Sequence, residues 1–159
     1  MRNSLIIRNG CLKDGVKILP IWDEFIDYHK KITDQDLEML NDAGEMWVKY
    51  FNRHVRSPIR KAIVAEQNGK IIGFLIGAIQ RRPPIFTKSH QAYIDSIGVI
   101  ESRRNQGIAT MMLNLFTDWA KEKKLPYIML NVAVENDVAI RLYEQHGFKT
   151  VILSQRKLL

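Results

Sequence analysis

The order of elements along the chain predicts a mixed α/β domain, a mostly antiparallel sheet followed by one β-α-β crossover. Two observations predict it. Residues 62–67 and 70–79 are apolar runs joined by Asn68-Gly69. That dipeptide suits a tight hairpin because both turn positions require positive φ. Residues 91–100 and 127–134 are two further strand-like runs, and they flank a helix pattern at 107–123. Ile108, Met112, Leu115, Phe116 and Trp119 form the inward face of that helix. A helix between two strands of one sheet implies a parallel pair and a right-handed crossover, and its strand-to-helix turn is a natural ligand site.

The remaining elements follow in order. Residues 5–8 read as a first strand and residues 9–15, with two glycines, as a turn. Ile18, Ile21, Trp22, Phe25, Ile26, His29 and Ile32 recur at spacings of three and four, which predicts a helix with Pro20 in its first turn. A second helix is expected from Thr33, with Asp36 completing an imperfect capping box. Leu37, Leu40, Trp47, Phe51 and Val55 form its apolar face, and Pro58 ends it. Residues 81–86, Arg-Arg-Pro-Pro-Ile-Phe, read as a loop. Residues 138–146 read as a short helix closed by Gly147, and a last strand is expected from about Phe148. The expected order is β-α-α-β-β-β-α-β-α-β, in one domain spanning residues 1–159.

Composition narrows the class. The chain has 159 residues, 46% of them hydrophobic, enough for a sizeable core. No apolar run is long enough to cross a bilayer, and the stretch at Leu5-Ile6-Ile7 is too short for a secretory leader. A single cysteine, Cys11, excludes an intramolecular disulfide, so a cytoplasmic protein is expected. The net charge of +7 favours an anionic partner. The basic residues are scattered, so the expectation is one anionic site and no nucleic-acid surface. The histidines at 29, 54, 90 and 146 do not pair at ligand spacing, so no metal site is expected.

The crossover turn carries the chemistry. It reads Val99-Ile-Glu-Ser-Arg-Arg104-Asn-Gln-Gly107-Ile-Ala109. A helix N-terminus offers free N–H groups and partial positive charge. Gly107 and Ala109 admit a ligand close to the backbone, and Arg103 and Arg104 add full charge, making a plausible pyrophosphate cradle. Arg104-x-x-Gly107-x-Ala109 also resembles the R/Q-x-x-G-x-G/A signature of the GNAT (N-acetyltransferase) superfamily. Asn136-x-x-Ala139-x-x-x-Tyr143-x-x-x-Gly147-Phe148 resembles that family's second signature. The resemblance runs from about Ala62 to Phe148, and more loosely over the first two helices.

The resemblance implies a GNAT-type fold: a central, mostly antiparallel sheet whose two parallel strands splay apart at the cofactor site. It implies acetyl-CoA as acyl donor and a primary amine of a small molecule, peptide or protein as acceptor. Backbone groups around Ile97, Gly98 and Val99 would bind the pantetheine arm. Amides of Asn105, Gln106, Gly107, Ile108, Ala109 and Thr110 would hold the pyrophosphate, with Arg104 alongside. Asn136 would contact the pantetheine or cap the last helix, and Tyr143 would sit near the sulfur. The chemistry agrees: a phenol there can protonate the departing thiolate, and the Val99 N–H can stabilise the oxyanion.

The base is open. Asn131 stands where some relatives carry a glutamate, and an amide accepts no proton at neutral pH. Asp95 is the nearest carboxylate, flanked by Tyr93 and Ser96; it is a candidate base, with a loop anchor or a base acting through water as the alternatives. Trp22, His29, Phe86 and Asn131 are candidate acceptor-pocket residues, although His29 on an apolar stripe also fits a core position. Val151-Ile152-Leu153 would form a sheet edge, which a homodimer would cover. A non-catalytic acyl-CoA-binding module is the alternative function.

Overall fold

The computed structural model describes residues 4–33 and 36–159. The expectations resting on Met1 to Asn3 and on Asp34 and Gln35 lie outside the described residues. The elements are β1 (Leu5–Asn9), α1 (Asp14–Ile32), α2 (Ala43–Arg56), β2 (Arg60–Gln67), β3 (Lys70–Arg81), β4 (His90–Val99), α3 (Ile108–Glu122), β5 (Ile128–Leu130) and α4 (Asp137–Gln145), with a 3₁₀ turn at Glu101–Arg103. One sheet runs in the order β1-β2-β3-β4-β5. Its first three pairings are antiparallel and β4–β5 is parallel. The Asn68-Gly69 turn has φ of 52° and 77°, the positive pair that this hairpin demands.

The sheet is covered on both faces, and the strands sort their side chains accordingly. Ile63 and Ala65 of β2 and Leu75 of β3 pack with Met112, Phe116 and Trp119 of α3. Ala62 and Val64, with Phe74 and Ile76, pack with Ile18, Ile21 and Trp22 of α1 and Trp47 and Phe51 of α2. Residues 71–78 of β3 are buried without a break, as a strand covered on both faces should be.

Three expectations are corrected. The first helix begins at Asp14, so Pro20 lies inside it. The proline ring leaves the Val16 carbonyl without its helical partner, and Val16 is on the exposed side. Thr33 is extended and α2 starts only at Ala43; the Thr33–Asp36 box does not open a helix. The strand expected from Phe148 is not formed, and residues 149–159 belong to neither helix nor strand. Val151, Ile152 and Leu153 are exposed, and β5, spanning only Ile128–Leu130, offers too short an edge for them to pair with. The edge from which a dimer was expected is therefore absent.

Asp14 explains the early start of α1. It is 1% exposed and accepts from both terminal nitrogens of Arg8, at 2.7 and 2.9 Å, and from the Cys11 amide at 2.8 Å. Arg8 also donates to Glu66 at 2.7 Å, so β1, β2 and the start of α1 are tied together. Burial alone would push the Asp14 carboxyl up; the Arg8 guanidinium and the Cys11 amide outweigh it and hold the carboxyl below its ordinary range. Because the folded value is lowered, this stabilisation is present above the ordinary carboxylate value and is lost as pH falls through the folded one. Asp14→Asn should cost about 2 kcal/mol at pH 7. Thermal melts should also show a smaller loss of stability for the variant than for the wild type as pH falls from 5 to below 3.

Gly77 is a second fixed point. A Cβ there would meet the Tyr93 carbonyl at 2.5 Å and the Phe116 ring at 2.6 Å. The register shifts at this glycine: Ile76 pairs with Ser96 and Gly77 with Ile94, leaving Asp95 as the extra residue of a β-bulge. Gly77→Ala should destabilise by about 2–3 kcal/mol in denaturant melts.

Candidate functional site

The bulge and the short fifth strand together build a notch. β5 pairs with β4 only at Ala92, Tyr93 and Ile94, whereas β4 continues to Val99. Before the bulge, the Ala92 N–H donates across to the Tyr127 carbonyl of the β5 side at 3.1 Å. After it, the Ile100 N–H donates to Ile72 on the β3 side at 2.9 Å. The extra residue has inverted the alternation, so the N–H and C=O groups of Ile97 and Val99 point to the side where β5 has ended. They offer a strand-like hydrogen-bonding edge with no strand beside it. The Val99 carbonyl accepts from Arg104 Nε at 3.1 Å, which shows that this edge is open to side chains.

The end of the notch is the N-terminus of α3. Asn105 and Gly107 have φ of 60° and 75°, and α3 opens directly after them. The first helical bond runs from the Met111 N–H to the Gly107 carbonyl at 3.0 Å. The preceding N–H groups of Ile108, Ala109 and Thr110 therefore have no helical partner. A Cβ on Gly107 would touch nothing within 4 Å, so its glycine serves the left-handed turn and not a close contact. Arg104, Asn105 and Ala109 line the cleft; Gln106 and Gly107 are exposed outside its lining, and the Ile108 side chain is buried in the core. The arrangement suits an anionic group bound to backbone amides with a guanidinium beside it.

The other wall comes from α4. Asn136 is 6% exposed, and its side chain accepts from the Ala139 N–H at 3.2 Å, capping the helix. Tyr143 projects from the same helix into the cleft lining and is buried. Its ring packs against Phe148 at 5.7 Å between centroids. Burial pushes its phenol up to about 12, so it keeps its proton at neutral pH.

The remaining expected residues separate. Asp95, His29, Phe86 and Asn131 line the cleft, whereas Trp22 does not. Trp22 is buried beneath the wall, 5.7 Å from Trp47 in the aromatic core. His29 Nδ1 donates to the Phe25 carbonyl at 2.8 Å. Phe86 lies under the Arg82 guanidinium at 4.3 Å. On the walls formed by α1, β3 and β4, Asp95 is the single carboxylate among the described cleft residues.

Two residues escaped the sequence reading. Tyr28 donates to Asn136 Oδ1 at 3.4 Å and lies under Arg104 at 5.3 Å, linking α1 to both ends of the notch. It flanks the apolar stripe of α1, and nothing in its spacing distinguishes it. His54 is fully buried and stands 2.9 Å from Asp95. Its position three after Phe51 reads as core.

The profile of the acetyltransferase (GNAT) family matches residues 22–148. The chain is similar to the N-alpha-acetyltransferase RimI of Mycobacterium tuberculosis, 31% identical over 107 residues that cover 67% of this chain and 63% of that protein. It is similar to an N-alpha-acetyltransferase of Sulfurisphaera tokodaii, 31% identical over 110 residues that cover 64% of each chain. It thus spans less than two thirds of the length of these curated relatives. Its fold is similar to that of a predicted acetyltransferase from Clostridium acetobutylicum, solved with acetyl-CoA, at a TM-score of 0.76 and 22% identity over 96% of both chains.

Proposed function

Because the chain belongs to the acetyltransferase (GNAT) family, we propose that it is an acetyl-CoA-dependent N-acetyltransferase acting on the α-amine of a peptide or protein. The observation that carries this is the notch: a β4 edge at Ile97 and Val99 with no strand beside it, ending on free amides of α3 and with the Tyr143 phenol in its wall. A pantetheine arm needs the first and a diphosphate the second. A thiolate leaving group needs the third.

The placement of these residues supports the following roles. Ile97 and Val99 hydrogen-bond the arm as an added strand would. The α3 amides and Arg104 hold the diphosphate once Arg104 leaves the Val99 carbonyl. The Val99 N–H faces the developing oxyanion, and Tyr143 donates to sulfur. Asp95 takes the acceptor's ammonium proton, with His29, Phe86 and Asn131 around the acceptor. A single carboxylate on that side suits one amine better than a polycation, and the names of the two N-alpha-acetyltransferase relatives favour an α-amine. The exposed free Cys11 favours a cytoplasmic protein.

The test is transfer of label from radiolabelled acetyl-CoA to short peptides with free N-termini, beside the same peptides N-terminally blocked and carrying lysine. Label on the free α-amines supports the reading. Label on lysine alone overturns the choice of acceptor, and no transfer to any amine overturns the enzyme.

A further inference from the structure

His54 and Asp95 are 41 positions apart and meet across α2 and β4, with Nε2 and Oδ2 at 2.9 Å. The other ring nitrogen, Nδ1, lies 2.9 Å from the Tyr50 carbonyl. A carbonyl oxygen only accepts, so Nδ1 carries a hydrogen. Nε2 and Oδ2 cannot face one another with lone pairs at that distance, so one proton lies between them. His54 is fully buried and Asp95 keeps 19% exposure, so the pair has a hidden end and an end at the cleft. The groups around it are Tyr50 of α2, Arg60 of β2 and Tyr93 of β4. Burial first, and then the Asp95 charge, raise both phenols above their ordinary range. They are therefore uncharged at neutral pH, and Asp95 is the carboxyl group of the cluster.

We propose that His54 is a positioning residue for acyl transfer: it holds Asp95 through Oδ2 and shares its proton, so that the two work as one coupled base for a primary ammonium in the cleft. This rests on the acyltransferase reading above. The step balances as follows. The pair without its shared proton, a neutral imidazole and a carboxylate, takes one proton from R–NH₃⁺ and leaves R–NH₂. The amine nitrogen bonds to the acyl carbon, the C–S bond breaks, and the nitrogen's second proton replaces the one Tyr143 gives to sulfur. The pair then returns its proton to water at the exposed edge of Asp95. The geometry in the structure is that of the proton-bearing form. The β-bulge serves the same end, because it turns Asp95 toward α2 while keeping Ile97 and Val99 on the notch.

Two measurements test this. Long-range ¹H–¹⁵N spectra of histidine-labelled protein should show a hydrogen on His54 Nδ1 and an Nε2 resonance that moves in Asp95→Asn, as the loss of a shared proton requires. An Nε2 resonance identical in both proteins overturns the proposal. His54→Gln should keep acetyl-CoA affinity within about twofold, lose about 100-fold in kcat/KM for a free-N-terminus peptide, and shift the acidic limb of its pH–rate profile. A profile parallel to wild type, or lost acetyl-CoA binding, would make His54 structural only and overturn the proposal. Wild-type protein that binds acetyl-CoA yet acetylates no amine would sink the acyltransferase reading, a result distinct from transfer that proceeds with an unmoved limb.

Discussion

Ala109→Glu is expected to abolish acetyl-CoA binding in a calorimetric titration while leaving the fold intact. Ala109 is the second residue of α3 and lines the cleft beside Arg104 and Asn105. Its N–H belongs to the set that precedes the first helical bond. A glutamate there brings a carboxylate into the space where a diphosphate would meet those amides, adding like-charge repulsion to a steric block. A loss of at least about 100-fold, or about 2.7 kcal/mol, is expected. The same substitution should not harm α3, whose first turn carries no acidic residue. A negative side chain near a helix N-terminus is favourable by a few tenths to about 1 kcal/mol, so the melting temperature should hold or rise. That opposition of signs makes the variant informative: weakened binding with an unchanged or higher melt cannot come from unfolding. Ala109→Gly is the control and should bind as wild type does. A glutamate variant that binds within a few fold would move the anionic end of the ligand away from α3.

Local rules were legible wherever a residue type is chemically forced. Asn68-Gly69 had to be a hairpin because two successive positive φ angles suit few other pairs. The turn before α3 was legible because Gly107, a small Ala109 and Arg104 in one short segment suit an anion at a helix N-terminus. Features that depend on two distant segments were not legible. The bulge at Asp95 needs Gly77 on the neighbouring strand, since a side chain there would strike the Tyr93 carbonyl, and register is invisible in one strand alone. His54 carried no local mark either, because its partner on β4 is reached only once α2 packs on the sheet. Trp22 was misplaced for a related reason: periodicity gives the inward face of α1 but not which part of that face covers the core. Ile18 and Trp22 lie over the sheet, whereas Ile21, Phe25, Ile26, Tyr28 and His29 line the cleft. The C-terminal strand failed because an apolar run says that a strand can form, whereas a strand also needs a partner of matching length.

Tyr143→Phe is expected to lower kcat by about 100- to 1000-fold with acetyl-CoA affinity and melting temperature nearly unchanged. The ring would keep its contact with Phe148, 5.7 Å between centroids. The hydroxyl has no hydrogen-bond partner among the described residues, so removing it breaks nothing in the fold. What it removes is the donor proposed for the departing sulfur. Burial raises the phenol to about 12 because a phenolate there would be poorly solvated. The same burial strengthens a hydrogen bond given to a developing thiolate. A phenol at that value is a weaker acid than a thiol, so its full transfer to sulfur is uphill. The gain therefore lies in the bond donated during C–S cleavage, with the amine's proton replacing the phenol's. Two consequences separate this role from packing. The loss should fall on kcat and kcat/KM alike, the mark of an interaction made in the transition state. The alkaline limb of the wild-type profile, if one is found below pH 11, should persist in the variant, because a phenol at about 12 has not titrated there. A Phe variant within threefold of wild type in kcat would remove Tyr143 from the chemistry and leave it as one more residue of the core.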